Sequence, residues 1–249
     1  MISITSLINP LVKQVVDLHD KKGRLHYQQC IVEGVRACQT FLKAGIPLYR
    51  LFVTETLLDA IPDQCQEHTL VLVTDRIMKK ISTSNTPSGM LGIFGIPSAL
   101  APDALSPGLV LAQVQDPGNM GTLIRTAVAL NKKSIVIVEG VDPWSPKVIQ
   151  ATAGTLALAH IFQWSWHELL QYKRQLSLCA LVVTDGMSPE QLDLQQSLLV
   201  VGNEAHGLPL AWQRDCDQKL TLPMPGGTES LNAATAGSIA LYQAYLQMK

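Results

Sequence analysis

Apolar residues change their spacing along the chain, and the change separates two stretches of different character. From Pro10 to Asp20 and from Gly34 to Ala44 they recur with helical spacing, which predicts two helices, and Gly45 is placed to end the second. Leu48–Thr54 and Thr69–Val73 are rich in apolar and β-branched residues and predict strands. Asp75 is placed to cap a short helix running to Ile81, and Leu91–Phe94 reads as a further strand. Beyond residue 108 the pattern sharpens into uninterrupted apolar runs at Leu109–Val114, Ser134–Val138, Leu178–Thr184 and Ser197–Val201. Runs of that length without polar alternation suit strands of a parallel sheet covered on both faces. Helical stretches separate or follow them: Met120–Leu130, Pro146–Ala153, Trp166–Leu176 and the Ala-rich Leu231–Met248. Strand and helix in turn predict an α/β fold with right-handed crossovers. Between the two stretches, residues 95–108 are dense in Pro and Gly and read as a linker. The expected organisation is a small α/β domain over 1–98, a linker over 99–108 and a second domain over 109–249.

Composition narrows the class of protein without naming it. The chain has 249 residues, 47% hydrophobic and 16% charged, enough apolar material for buried cores and against global disorder. No run approaches the ~20 apolar residues of a membrane span, and Met1–Thr5 lacks signal-peptide character. A cytoplasmic protein with no membrane association is expected. Five scattered cysteines without a Cys-x-x-Cys pair, and six histidines without a cluster, predict neither a disulfide framework nor a metal site. The net charge of −1 is not that of a strong nonspecific nucleic-acid binder. The first 98 residues nevertheless carry ten Lys/Arg against eight Asp/Glu, while the remainder carry nine against twelve. Any local anionic partner would be better hosted by the first stretch.

Three segments join a strand to a helix, where doubly wound sheets bind ligands. The first, Gln113 to Arg125, runs from a strand through Asp-Pro-Gly into a helix with Asn119 at or near its N-cap; Arg125 lies within two turns and can project from the same end. A capped helix bearing a surface arginine is the plainer alternative. The second, Val200 to Pro209, takes an apolar strand into Gly202-Asn203-Glu204, where a glycine permits close backbone approach and the carboxylate has no evident structural partner. His206 has no adjacent nucleophile or acid and is read as a loop residue. The third, Leu220 to Ala236, leads through Pro-Met-Pro and Gly-Gly into a helix of small residues that Glu229 or Ser230 would cap. No Gly-x-Gly-x-x-Gly follows the first strand of this stretch and no P-loop is present, which excludes a Rossmann dehydrogenase and a P-loop nucleotidase.

Taken together, Asn119-x-Gly121-x-x-x-Arg125, Gly202-Asn203-Glu204-x-x-Gly207-Leu208, and Pro223-Met224 with Ser230-Leu231-Asn232 resemble the three motifs of the SpoU/TrmH family of RNA ribose 2′-O-methyltransferases, in the SPOUT superfamily. Ile31-Val32-Glu33-Gly34 and Thr86-Pro87-Ser88-Gly89 resemble, more weakly, the family's L30e-like substrate-binding domain. One departure is Ala233-Ala234-Thr235 in place of the usual Val-Ser-Val.

The resemblance implies a C-terminal parallel-sheet SPOUT domain with a trefoil knot, preceded by a small L30e-like α/β domain. It also implies a homodimer and S-adenosyl-L-methionine as cofactor, held around Thr184, Gly202, Asn203, Leu222, Met224 and Leu231. Arg125, Asn119, Glu204, Ser230 and Asn232 become the candidate catalytic residues. In the family the arginine is assigned to deprotonating the ribose hydroxyl. A free guanidinium keeps its proton to above about pH 12, so a bidentate phosphate clamp is the alternative. Asn119 and Asn232 would orient the ribose, and Glu204 would hold Arg125 or the substrate. RNA would meet the first domain at Lys13, Lys21, Lys22, Arg24 and Arg36, unless these form an ordinary solvated face. Ribosomal RNA of the 23S type is the expected substrate; transfer RNA, or an RNA-binding assembly protein that has lost catalysis, are the alternatives.

Overall fold

The computed structural model describes residues 1–227 and 230–247, and the chain divides into two compact units. The first comprises Met1–Ser98 together with Asp142–Ala157; the second comprises Ala99–Val141 and Leu158–Lys249. Residues 142–157, which the pattern alone places in a contiguous second domain, thus pack with the first unit.

The first unit runs β1 (Ile2–Ile4), α1 (Pro10–Asp17), α2 (Lys21–Tyr27), β2 (Gln29–Glu33), α3 (Val35–Lys43), β3 (Leu48–Val53), β4 (Leu70–Val73), α4 (Asp75–Ile81) and β5 (Met90–Gly95). Its sheet has the order β1-β4-β3-β5-β2, with β5 antiparallel to both neighbours and the other pairs parallel. Apolar side chains of α1 and α4 (Val12, Val15, Ile77, Met78, Ile81) close one face of it over Ile31, Phe52 and Val71. The helix predicted over Pro10–Asp20 ends at Asp17, and a separate helix, α2, follows. Gly45 takes φ +75° just past α3, as a left-handed glycine ending a helix does. The cap of α4 is Thr74, whose hydroxyl accepts from the Ile77 N–H, and Asp75 is instead its first residue.

The remaining elements are β6 (Gly108–Ala112), α5 (Pro117–Ala129), β7 (Ser134–Val138), α6 (Pro146–Ala151, within the first unit), β8 (His160–Gln163), α7 (Trp166–Tyr172), β9 (Ser177–Leu181), β10 (Ser197–Val201), α8 (Leu210–Asp215), β11 (Gln218–Leu220) and α9 (Ala233–Leu246). They give the second unit a six-stranded, all-parallel sheet in the order β11-β9-β10-β6-β7-β8. Every residue of β6, β7 and β10 is buried, as their uninterrupted apolar runs require. Helix α9 packs along α5, where Thr126 and Ser238 hydroxyls meet at 3.1 Å. Gly237 sits where any Cβ would come within 2.5 Å of Leu123 Cδ2. Among the described residues no helix is long and apolar enough to cross a membrane, and no group of three or more His, Cys, Asp or Glu is placed to hold a metal ion.

Candidate active site

Because the second sheet is wholly parallel, the carboxyl ends of β11, β9, β10 and β6 lie side by side in that order. The segments leaving them begin at Thr221, Val182, Gly202 and Gln113. All three motif-bearing segments therefore start from one edge of one sheet, the edge where such sheets take ligands.

The exit from β6 is strained. Gln113 adopts φ 58° and Glu139, at the exit of β7, adopts φ 52°, a region that costs residues with a Cβ roughly 1–3 kcal/mol. The Gln113 amide donates to Glu139 Oε2 at 2.8 Å, and the Gln115 amide donates to the Glu139 carbonyl at 2.9 Å. Asp116 then caps α5: its Oδ1 accepts from the Asn119 N–H at 2.7 Å, with Pro117 pre-set for the first turn. The cap is Asp116, and Asn119, expected at or near that position, lies three residues inside.

Asn119 has a different task. Its Nδ2 donates to Glu204 Oε1 at 3.2 Å, and its Oδ1 accepts from Asn232 Nδ2 at 3.1 Å. Glu204 also accepts from the backbone N–H groups of Gln115 (3.3 Å) and Asp116 (3.0 Å). Asn232 in turn caps α9, its Oδ1 accepting from Ala234 N (2.8 Å) and Thr235 N (3.2 Å), so the expected cap at Glu229 or Ser230 is corrected. Glu229 lies outside the described residues. One chain of hydrogen bonds thus ties together a residue from each of the three motifs.

Asn203 and Gly202 shape the middle loop. Asn203 donates to the Gln113 carbonyl at 2.9 Å and accepts from Ala205 and His206 N–H groups, while its backbone pairs both ways with Gly207. A Cβ on Gly202 would lie 2.5 Å from the Gly207 carbonyl carbon and Leu208 N. The glycine is therefore required by the loop's own return, whereas the sequence alone suggested room for a ligand.

Thr184 is exposed beyond β9, with its hydroxyl on Asp185 Oδ2 at 3.2 Å; the following Gly186 N–H donates to Thr221 Oγ1, binding that loop to the exit of β11. Leu222 and Met224 are half-buried, and Ser230 and Leu231 are exposed. Arg125 stands apart from the bonded cluster. It is exposed on the stripe Gly118, Thr122, Arg125 and Ala129 of α5, and it makes no hydrogen bond or ion pair with the described residues. Glu204, expected to hold Arg125 or the substrate, makes no bond to Arg125 and holds the backbone ahead of α5 and Asn119. In the first unit Lys13, Lys21, Lys22 and Arg36 are exposed. Arg24 is corrected: it is only 4% exposed and is ion-paired to Asp142 at 2.7 Å, so it has no face to offer RNA.

Partial burial would raise the Glu204 pKa, but the donors from Asp116, its own backbone, Asn119 and Gln115 outweigh that and hold it below the usual glutamate value. A depressed folded-state pKa means the contacts persist as pH falls through the ordinary glutamate range and are released only below it. Backbone amide resonances of Gln115 and Asp116 should therefore titrate with a midpoint under the ordinary glutamate value. A midpoint at or above it would show the carboxylate is not held as described.

Residues 107–242 match the family model described as the SpoU rRNA methylase family. The chain belongs to this family. Residues 9–92 match an MRM3-like substrate binding domain. An uncharacterised tRNA/rRNA methyltransferase of Synechocystis is 32% identical, covering 98% of this chain and 94% of that protein. The Bacillus subtilis 23S rRNA (guanosine(2553)-2′-O)-methyltransferase RlmP is 27% identical over 97% and 98% respectively. Among solved structures, AdoMet-bound rRNA methyltransferase from Sinorhizobium meliloti superposes with a TM-score of 0.89 at 26% identity, covering 100% of this chain and 99% of that one.

Within this SpoU-family site, three participants escape the sequence reading: Asp116, Gln113 and Glu139. Asp116 had a usable signal, since Asp directly before Pro is a favoured way to open a helix. Gln113 and Glu139 had none, because a non-glycine residue gives no local sign that it will be driven into the left-handed region.

Proposed function

We propose that this protein transfers a methyl group from S-adenosyl-L-methionine to a ribose 2′-hydroxyl of RNA, with 23S ribosomal RNA as substrate. The observation that carries this reading is the Glu204–Asn119–Asn232 hydrogen-bond chain, which draws three loops into one site at the sheet edge. The similarity to RlmP and to the AdoMet-bound Sinorhizobium enzyme supports the reaction and the cofactor. So does the apolar surface left uncovered by the site's loops, where Val183 is 55%, Met187 49% and Leu231 38% exposed. A mostly apolar lining with a few placed polar groups is what an adenosine-sized ligand needs.

When bound, the cofactor supplies an already activated methyl group. What remains for the chain is position and the fate of the hydroxyl proton. The backbone after Thr184, Gly202 and Leu222 would hold the donor, and the Asn119–Asn232 pair, fixed at both ends, would fix the loop on which the ribose rests. Arg125, exposed and without a carboxylate partner among the described residues, would clamp a substrate phosphate bidentately and favour the ionised hydroxyl electrostatically, its proton passing to solvent as the oxygen takes the methyl group. We assign RNA recognition to residues 1–98, with Lys13, Lys21, Lys22 and Arg36 free to meet phosphates, and methyl transfer to residues 109–249. The family resemblance further implies a trefoil knot in the second unit.

The exposed stripe carrying Arg125 runs on α5, and α9 beside it exposes Thr235, Ile239, Tyr242 and Leu246 at the same spacing. Two packed helices whose exposed stripes are mostly small or apolar, with Arg125 among them, support a homodimer whose interface includes Arg125. The test is to map 2′-O-methylated positions in total RNA with and without the gene. One 23S position should lose its methyl group in the absence of the gene and regain it with purified protein and AdoMet. A loss confined to transfer RNA, or no loss, would overturn the substrate assignment. Light scattering on the same protein should give about twice the 27.1 kDa chain mass, and a monomer mass would end the dimer reading.

A further inference from the structure

Helix α2 is turned inside out. Of its seven residues, the only one buried is a charged one, Arg24. Its Nη1 donates to the carbonyls of Leu18 (2.9 Å) and His19 (2.8 Å), and its Nε and Nη2 donate to Asp142 Oδ2 at 2.9 and 2.7 Å. Gly23 supplies the other contact: a Cβ there would lie 2.0 Å from the Asp17 carbonyl oxygen, so only glycine lets α2 press against the end of α1. The side chains that would ordinarily bury a helix point to solvent. Leu25 is 60% exposed and Tyr27 37%, and the rings of His26 and Tyr27 meet edge to face at 4.7 Å. Lys21 and Lys22 are exposed on the same helix.

A helix held rigidly by a buried arginine, with apolar and aromatic groups outward, is built to meet something. The choice of groups says what. Exposed lysines, Lys22 one turn before His26 and its Tyr27 neighbour, match a single-stranded nucleic acid, whose phosphates take the ammonium groups and whose bases stack on rings whatever their sequence. An acidic protein partner would match the lysines and leave the rings idle. A second copy of this chain would find the same positive charges facing it. Asp20 is also exposed close by, which limits the net charge and leaves stacking as the main source of affinity.

We propose that the exposed side of α2, where Leu25 and His26 follow Lys21 and Lys22 by one turn and the Tyr27 ring meets His26, is a base-stacking platform for an unpaired segment of the RNA substrate. This rests on the RNA-methylation reading above and adds where an unpaired segment is gripped. Arg24 and Asp142 act as positioning residues for that face.

The test measures fluorescence anisotropy of full-length protein with fluorescein-labelled oligoadenylate over a series of salt concentrations, alongside methyl transfer to unmodified 23S rRNA. Tyr27→Ala should bind the oligonucleotide at least about five-fold more weakly with an unchanged salt slope, because it removes stacking and no charge. Lys21→Ala with Lys22→Ala should lower the slope by roughly 0.7 for each single-strand phosphate that the two lysines neutralise. Both variants change exposed residues, and an unchanged melting temperature verifies that they fold. In the methylation assay each should raise KM for rRNA while kcat and AdoMet binding hold. If Tyr27→Ala and Leu25→Ser keep wild-type affinity and KM in a protein that methylates rRNA, the platform is wrong and the enzymatic reading stands. If they instead change the oligomeric mass, the face binds a second copy and the proposal is overturned. Absence of methyl transfer by the wild-type protein, with Tyr27-dependent oligoadenylate binding intact, would strike the enzymatic reading and spare the platform.

Discussion

Replacing Arg125 with alanine should lower kcat/KM for methyl transfer by at least about a hundred-fold, within the span that a single positioned charge or proton-handling group supplies. The structure makes this a clean experiment. Arg125 is exposed and bonds to none of the described residues, so its removal leaves no orphaned partner among them. The Glu204–Asn119–Asn232 chain does not pass through it, so AdoMet affinity and the melting temperature of the protomer fold should stay near wild type, with light scattering to check that the variant keeps the dimer mass proposed above. Arg125→Lys separates the two roles open to the guanidinium. If a planar fork grips a phosphate, lysine retains the charge but loses the bidentate geometry, and most of the activity should go with it. If charge alone matters, lysine should recover most of the rate. Activity of Arg125→Ala within a few-fold of wild type would remove Arg125 from the site altogether.

That motif spacing points to Arg125 in the sequence, while the partners of the neighbouring motif residues cannot be read there, follows from what each depends on. Strands β6, β7 and β10 are buried on both faces, so their runs carry no polar alternation and announce themselves. The half-exposed β8 and the three-residue β11 have no such run and go unseen. The motif residues were legible as residues because spacing is local. Their bonding was not, because Glu204 reaches a backbone 88 residues earlier and Asn232 an amide 113 residues earlier, distances that only the folded sheet closes. Helix α2 was invisible for a sharper reason. Sequence patterns assume that apolar side chains turn inward and charges outward, and Leu25 and Arg24 do the reverse. The same assumption put Arg24 among the RNA contacts.

Arg24 also sets the largest effect expected on stability. Its guanidinium is 4% exposed and the Asp142 side chain 13%, and Asp142 Oδ1 additionally accepts from the Trp144 N–H at 3.0 Å. Removing one member of such a pair strands the other charge in a poorly solvated place, which costs about 3–5 kcal/mol, well above the ~1 kcal/mol of an exposed pair. Asp142→Ala should therefore lower the melting transition of the first unit by roughly 10 °C or more, as followed by calorimetry on the full chain. The double change Arg24→Met with Asp142→Leu replaces both charges with apolar groups and should recover much of that stability, since a buried pair and a well-packed apolar contact are often close in free energy. Recovery would be incomplete, because the carbonyls of Leu18 and His19 are left without their donor when the arginine goes. The segment 142–157 gains its significance from this pair. It lies between β7 and β8 of the second sheet in the chain, yet folds with the first unit, where a Cβ on Gly154 would come within 2.8 Å of Ala37 Cα. A shift in melting temperature within one or two degrees for Asp142→Ala would mean the pair is solvated in practice and α2 is held by Gly23 packing alone.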